Sequence, residues 1–137
     1  MDNGQKRVLL IEDNEEAKFL ADCALQQYGK GKYHLEWAKD LSDALGQLSH
    51  CRTDVILLDL GLPETTGAAT YAAVREIAPD IPVVVLSGDT TEETQVSVVL
   101  EGVHDYLGKD QISGGLLVEA LHSALTENKH RKLHGPA

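Results

Sequence analysis

Acidic side chains stand at the ends of two apolar segments of this 137-residue chain. The segment "RVLLI" is followed directly by Glu12 and Asp13, and the segment "DVILLD" ends in Asp59. Apolar, β-branched runs of this length are typical of strands that are buried on both faces. A carboxylate at the end of such a strand is costly unless it is solvated, paired or bound to a cation, so the pattern indicates a site.

A hydroxyl group and an ammonium group occupy the corresponding places later in the chain. Ser87 ends the segment "IPVVVLS", and Lys109 follows the segment "GVHDYL". Three clustered carboxylates repel one another, and a hard divalent cation such as Mg²⁺ relieves that repulsion. A lysine and a hydroxyl beside the cation suit the oxygens of a phosphoryl group. The set therefore predicts an aspartate nucleophile for phosphoryl transfer, which would form an acyl phosphate.

Each of these residues also has a simpler explanation. Glu12 and Asp13 can favour the positive end of the helix that follows them. Ser87 can be a turn residue, and Lys109 can be a solvated loop charge. Four strand ends that each carry a suitable group are improbable by chance, so their joint occurrence favours the site.

Five apolar segments of strand character alternate with five segments of helical period. This alternation predicts an α/β fold, in which helices cover both faces of a doubly wound parallel sheet. The first, third and fourth strands are the most apolar and should be central, whereas the second, with its polar His34 and Glu36, should form an edge. The predicted strands are residues 7–11, 33–38, 54–59, 81–87 and 102–107, and the predicted helices centre on 17–28, 41–48, 66–77, 91–101 and 117–125.

Composition excludes several classes of function. Twelve basic against 22 acidic residues give a net charge of −10, which disfavours direct binding to nucleic acid or to anionic lipid. No apolar run is long enough to span a membrane, and the polar start "MDNGQKR" lacks the apolar segment of a signal peptide, so we expect a cytoplasmic protein. Cys23 and Cys51 have no metal-ligand spacing and are predicted to be small buried residues in a reducing compartment.

The motifs of the chain, taken together, resemble those of the receiver domains of two-component response regulators. The motifs "LLIEDN", "DVILLDLGLPETTG", "VVVLSG" and "DYLGKD" occur in the family's order. The resemblance covers about residues 6–126 and leaves 127–137 as a basic C-terminal tail or the start of a linker to a further domain. It implies the CheY-like, flavodoxin-like fold, with five strands in the order 2-1-3-4-5.

The same resemblance implies a role for each site residue. Asp59 would accept the phosphoryl group; Asp13, Asp59 and the backbone carbonyl of Gly61 would bind Mg²⁺, and Glu12 would assist through water. Two further residues, Ser87 and Lys109, would hold the phosphoryl oxygens, and Tyr106 would change rotamer when Ser87 moves.

The resemblance also implies partners. The phosphoryl group would come from a sensor histidine kinase or a histidine phosphotransfer protein. A downstream protein, or a second copy of the chain after phosphorylation, would bind the face formed by the 91–101 helix, the fifth strand and the last helix. Such a domain is a signalling switch and not an enzyme in the usual sense, although it catalyses its own phosphorylation and dephosphorylation.

Three other interpretations compete with this switch. A degenerate receiver would be an interaction module that is never phosphorylated, and the complete set of site residues argues against it. An aspartate-nucleophile phosphatase would need a second acid two residues after Asp59, where Gly61 stands. A nucleotide-binding oxidoreductase would need a GxGxxG motif after the first strand, where "IEDNEE" stands.

Overall fold

The computed structural model of the chain describes residues 5–59, 67–87, 105–108 and 114–134. These residues form five strands, which are β1 (Lys6–Ile11), β2 (Tyr33–Ala38), β3 (Val55–Asp59), β4 (Val83–Ser87) and β5 (Asp105–Gly108). They also form four helices, which are α1 (Glu15–Gly29), α2 (Leu41–His50), α3 (Gly67–Ile77) and α4 (Gly115–His134). The helix predicted at 91–101 lies outside the described residues.

The five strands form one parallel sheet in the order β2-β1-β3-β4-β5. This order confirms the predicted fold class, with β1, β3 and β4 central and β2 at an edge. Ile11 pairs with Leu58, so the residues that follow them, Glu12 and Asp59, lie side by side at the carboxyl edge of the sheet. Parallel strands bring their carboxyl ends to the same edge, which is where ligands bind in open sheets of this kind.

Apolar side chains cover both faces of the sheet, because successive residues of a strand point to opposite faces. On one face, alternate strand residues such as Leu10 and Leu57 pack with α1 and α4. On the other face, their neighbours such as Leu9 and Ile56 pack with α2 and α3. All five residues of β3 are buried, as its uninterrupted apolar sequence predicts. The strand that carries Asp59 is thereby fixed by core packing on both sides.

The edge strand β2 is less buried than the central strands. His34 is exposed, whereas Leu35, Glu36 and Trp37 are all half-buried, so the polar and apolar residues do not alternate cleanly between solvent and core. Glu36 accepts from Arg7 at 3.3 Å and lies 2.7 Å from His34 Nε2. Ion pairs this exposed contribute little to stability, so packing on β1 is what holds β2 in place.

Helix α1 has a well-defined start and end. The side chain of Asn14 accepts a hydrogen bond from the backbone N–H of Ala17 at 3.0 Å, which satisfies one of the free N–H groups of the first turn. The helix ends where the backbone turns left-handed, at Lys30 (φ 51°) and Gly31 (φ 78°). This tight reversal returns the chain to β2, beside β1.

The predicted burial of the two cysteines is wrong. Cys23 lies on the solvent side of α1, and Cys51 directly follows the last turn of α2, where both are exposed as free thiols. Tyr28, which continues the apolar stripe of α1, is also 44% exposed. The apolar stripe of α1 is therefore narrower than its sequence indicates, and small alanines fill most of the contact with the sheet.

A search of the described helices for membrane spans finds none with the length and apolar character that crossing a bilayer requires.

Candidate functional site

Three carboxylates meet at the carboxyl edge of the sheet. Glu12, Asp13 and Asp59 each place one oxygen so that the three oxygens lie within 4.8 Å of one another. The arrangement follows from the pairing of β1 with β3 and from the hydrogen bond that Glu12 N donates to Ala38 O at 3.0 Å, which extends the β1 ladder by one residue. The structure therefore brings these three predicted site residues together.

The three carboxylates differ in their exposure to solvent. Glu12 is 0% exposed and Asp59 is 1% exposed, whereas Asp13 is exposed. The cluster therefore combines two buried acids with one acid that solvent reaches. A donor set made only of carboxylate oxygens, at this spacing, fits a hard divalent cation such as Mg²⁺ and does not fit a soft metal.

The beginning of α1 holds the Glu12 carboxylate. The backbone N–H of Asn14 donates to Glu12 Oε1 at 3.2 Å. Glu15 and Glu16 follow in the first helical turn, where negative charge is favoured by the helix dipole. Both explanations therefore apply to Glu12. Its carboxylate contacts the start of a helix, and it is also part of the acidic cluster.

Sequence reasoning missed one residue at this site, Trp37. Its indole Nε1 donates to the backbone carbonyl oxygen of Glu12 at 2.6 Å. Two cations, Lys18 and Lys39, lie over the ring, with their Nζ atoms 5.8 Å and 5.4 Å from its centroid. No sequence motif carries this contact, because it depends on the register of β2 against β1 and on the direction of one side chain.

The remaining predicted site residues are described in part or lie outside the described residues. Ser87 is the last residue of β4 and pairs with Gly108, and Tyr106 pairs with Val85. Asp59 pairs with Leu86, the residue before Ser87, so the backbone of Ser87 lies at the same sheet edge as Asp59. Gly61 and Lys109 lie outside the described residues.

Comparison with known proteins identifies one family. The family model described as "Response regulator receiver domain" matches residues 8–122. The transcriptional regulatory protein KdpE of Staphylococcus aureus is 33% identical over 105 residues, which are 77% of this chain and 44% of that protein. The autoinducer 2 sensor kinase/phosphatase LuxQ of Vibrio harveyi is 31% identical over 128 residues, which are 93% of this chain and 14% of that protein. The chain thus spans less than half the length of these curated relatives.

Solved structures agree with the match to the family model. The phosphorylated cyanobacterial phytochrome response regulator RcpA superposes with a TM-score of 0.72 at 26% identity, over 86% of this chain and 91% of that chain.

Proposed function

This chain belongs to the response regulator receiver domain family, and on that premise we propose that it is a phosphorylation-activated switch that accepts a phosphoryl group on Asp59. The observation that carries the proposal is the acidic cluster: Asp59, 1% exposed, ends a buried strand with its carboxylate beside those of Glu12 and Asp13. A carboxylate in that position can act as a nucleophile once its repulsion with the other two is relieved.

The proposed step transfers one phosphoryl group between side chains. An Asp59 carboxylate oxygen attacks the phosphorus of a phosphohistidine, the new O–P bond forms, and the P–N bond breaks. The imidazole leaves with the bonding electron pair and takes up a proton from solvent. Glu12, Asp13 and Asp59, together with the Gly61 carbonyl, would hold Mg²⁺, which when bound offsets the charge on the transferring oxygens.

Ser87 and Lys109 complete the proposed site by holding the oxygens of the aspartyl phosphate. The backbone position of Ser87, at the end of the strand next to β3, supports its part in this role. The contacts made by the new charge would draw the segment after β4 inward, and Tyr106 would change rotamer in response. The 91–101 segment, β5 and α4 would then present a changed face to a protein partner or to a second copy of the chain.

The donor in this proposal is a sensor histidine kinase or a histidine phosphotransfer protein in the cytoplasm. The two curated relatives differ in type, since one is named a transcriptional regulatory protein and the other a sensor kinase/phosphatase. The net charge of −10 favours a protein partner for this domain over direct contact with nucleic acid or membrane.

Intact-mass spectrometry after incubation with Mg²⁺ and an acyl phosphate tests the proposal. We expect one phosphoryl adduct on the wild-type chain, none when Mg²⁺ is chelated, and none on Asp59→Asn. Asp22→Asn is the matched control, because it makes the same change on α1, where the Asp22 carboxylate accepts an exposed hydrogen bond from Gln26 Nε2 at 3.3 Å.

Failure of labelling would overturn the proposal. If neither the acyl phosphate nor the phosphorylated domain of a histidine kinase labels the wild-type chain, the chain is a degenerate receiver that acts by interaction alone. An adduct that persists on Asp59→Asn would mean that another residue is the acceptor.

A further inference from the structure

Trp37 forms an unusual link between the edge strand and the acidic site. Its indole N–H donates to the backbone carbonyl of Glu12 at 2.6 Å, while the backbone N–H of Glu12 donates to Ala38 O at 3.0 Å. Both backbone groups of Glu12 are therefore bound to the end of β2. The same carbonyl belongs to the peptide unit that joins Glu12 to Asp13.

The position of the Glu12 backbone determines the geometry of the acidic site. Glu12 is 0% exposed, so its side chain has little freedom to compensate for a shift of its backbone. Asp13 is the next residue, and it has left the sheet, so its direction depends on the peptide unit that contains the Glu12 carbonyl. Hydrogen-bond partners that orient metal ligands contribute to metal affinity, so removing such a partner weakens metal binding.

Trp37 has contacts of its own with three other parts of the chain. Gln47 Nε2, on α2, donates to the Trp37 carbonyl at 3.0 Å, and Leu10 is its partner on β1. Lys18 and Lys39 flank the ring. These contacts restrict both the backbone and the ring of Trp37. The indole N–H can therefore keep the Glu12 carbonyl in one position, which a mobile surface side chain could not do.

We propose that Trp37 is a positioning residue for the divalent-cation site, acting through the backbone carbonyl of Glu12. This inference rests on the proposed function, because it assumes that the acidic cluster binds a divalent cation for phosphoryl transfer. The edge strand β2 would then contribute to cation binding through Trp37, in addition to its place in the sheet. Two of the three ligand residues, Glu12 and Asp13, directly follow β1, and the third, Asp59, ends β3. Trp37, on β2, holds the backbone carbonyl of Glu12.

The first test is the affinity for Mg²⁺, measured by titration calorimetry on Trp37→Phe and on the wild-type chain. Phenylalanine keeps an aromatic ring on β2 but removes the N–H donor. We expect the dissociation constant for Mg²⁺ to rise roughly three- to tenfold, the range that loss of one hydrogen bond produces. An unchanged dissociation constant would overturn the inference.

Leu35→Ala is the matched control for a general loss of packing. Leu35 and Trp37 lie on the same face of β2 and pack against the same core cluster, but Leu35 lies two residues before the site. We expect Leu35→Ala to lower the melting temperature at least as much as Trp37→Phe while leaving the Mg²⁺ dissociation constant unchanged. Equal weakening by both variants would mean that Trp37 acts only through stability, and would overturn the inference.

The two lysines require their own controls, since Trp37→Phe also alters their contact with the ring. Lys18→Met and Lys39→Met each remove a positive charge from beside the Trp37 ring. We expect these variants to bind Mg²⁺ as tightly as the wild-type chain or more tightly, because the removed charge repels the cation. Weaker binding by both lysine variants, equal to that of Trp37→Phe, would assign the effect to the cation–ring contacts and overturn the role of the N–H.

A fluorescence measurement gives a readout that stability alone would not move. Trp37 is the single tryptophan of the chain, so indole emission reports on this one position. We expect Mg²⁺ to change the emission of the wild-type chain with the same dissociation constant that calorimetry gives, and the change to be lost in Asp13→Asn. Indole emission that does not respond to saturating Mg²⁺ would contradict the link between Trp37 and the cation site.

A second variant keeps the test independent of how well Trp37→Phe folds. Gln47→Leu removes the donor that holds the Trp37 carbonyl, and we expect a smaller rise in the Mg²⁺ dissociation constant, roughly two- to threefold. If Trp37→Phe does not fold, an unchanged value in Gln47→Leu overturns the inference.

Phosphorylation separates this inference from the proposed function. A wild-type chain that is phosphorylated on Asp59 while Trp37→Phe binds Mg²⁺ normally would leave the function intact and overturn the inference. A wild-type chain that binds Mg²⁺ in a Trp37-dependent way but is never phosphorylated would support the positioning role and overturn the function.

Discussion

Asn14 and Glu12 are joined by a hydrogen bond from the backbone N–H of Asn14 to Glu12 Oε1, at 3.2 Å. The Asn14 side chain meanwhile accepts from Ala17 N and caps α1. One residue therefore contacts the acidic site through its backbone and the helix through its side chain. The two roles can be separated by mutation, because a side-chain substitution leaves the N–H in place.

We expect Asn14→Ala to lower the free energy of unfolding by about 1 kcal/mol through loss of the cap. Asn14→Ser should lose much less, because serine also caps helices. Both variants should still be phosphorylated, since the bond to Glu12 comes from the backbone. Urea denaturation measures the first effect and intact mass the second; an equal loss of stability in the two variants would argue against the capping role.

Repulsion within the acidic cluster should be visible in the stability of the metal-free chain. Asp13→Asn removes one of three neighbouring charges, so in chelator we expect it to raise the free energy of unfolding by roughly 0.5–1 kcal/mol. The wild-type chain should gain about 2.7 kcal/mol when Mg²⁺ is at a hundred times its dissociation constant, and Asp13→Asn should gain much less at the same concentration.

The control for Asp13→Asn is Glu119→Gln, which removes one negative charge from the exposed surface of α4. We expect it to change stability by the same small amount with and without Mg²⁺. If the two variants respond alike to Mg²⁺, the effect reflects net charge and not the acidic cluster.

The fold was predictable from sequence because buried parallel strands have a strong signature. Each of the runs that became β1, β3 and β4 has four consecutive apolar residues, and the polar character of His34 and Glu36 marked β2 as an edge strand. Strand boundaries were less accurate. The strand predicted at 81–87 begins at Val83. Pro82 has no backbone N–H to donate to the ladder, although its carbonyl accepts from Ile56 N at 3.0 Å.

The acidic cluster was predictable for the same topological reason, whereas its surroundings were not. Parallel strands bring Glu12, Asp13 and Asp59 to one edge whatever the details of packing. The bond from Trp37 to Glu12 depends on the register between β1 and β2 and on a side-chain direction, neither of which a sequence pattern specifies. The exposure of Cys23 likewise depends on how α1 is rotated against the sheet.

The Tyr33 phenol is partly buried, so we expect its ionisation to lower the free energy of unfolding at alkaline pH. Burial raises the pKa of the Tyr33 phenol above its ordinary value of 10.0, because the charged form is poorly solvated there. The unfolded chain loses this proton first as the pH rises, so the stability present below the ordinary pKa is lost as the pH rises toward the folded pKa.

We expect the free energy of unfolding of the wild-type chain to fall relative to that of Tyr33→Phe as the pH rises above the ordinary tyrosine value of 10.0. Urea denaturation at each pH measures that difference. Tyr28→Phe is the control, because it removes a phenol that solvent reaches. A difference between wild type and Tyr33→Phe that stays constant as the pH rises would show that burial of the phenol has no energetic consequence.

Gly29 and Gly46 offer a matched pair of helix substitutions with opposite expected signs. A Cβ on Gly29, at the end of α1, would lie 2.7 Å from Tyr33 Cδ2 and 3.3 Å from Tyr33 Cε2, so the half-buried ring would have to move. Overpacking of this kind costs about 1–3 kcal/mol, which exceeds the gain of roughly 0.5–1 kcal/mol from replacing a helical glycine. A Cβ on Gly46, in α2, would meet nothing within 4 Å.

We therefore expect Gly29→Ala to lower the melting temperature and Gly46→Ala to raise it. Combining Gly29→Ala with Tyr33→Leu should relieve part of the Gly29→Ala loss, because the ring that the new methyl group contacts is gone. A double-mutant cycle on the free energies of unfolding measures that coupling. If the two changes add without coupling, the contact with Tyr33 is not what makes alanine costly at this position, and the left-handed turn at Lys30 and Gly31 becomes the next part of the chain to test.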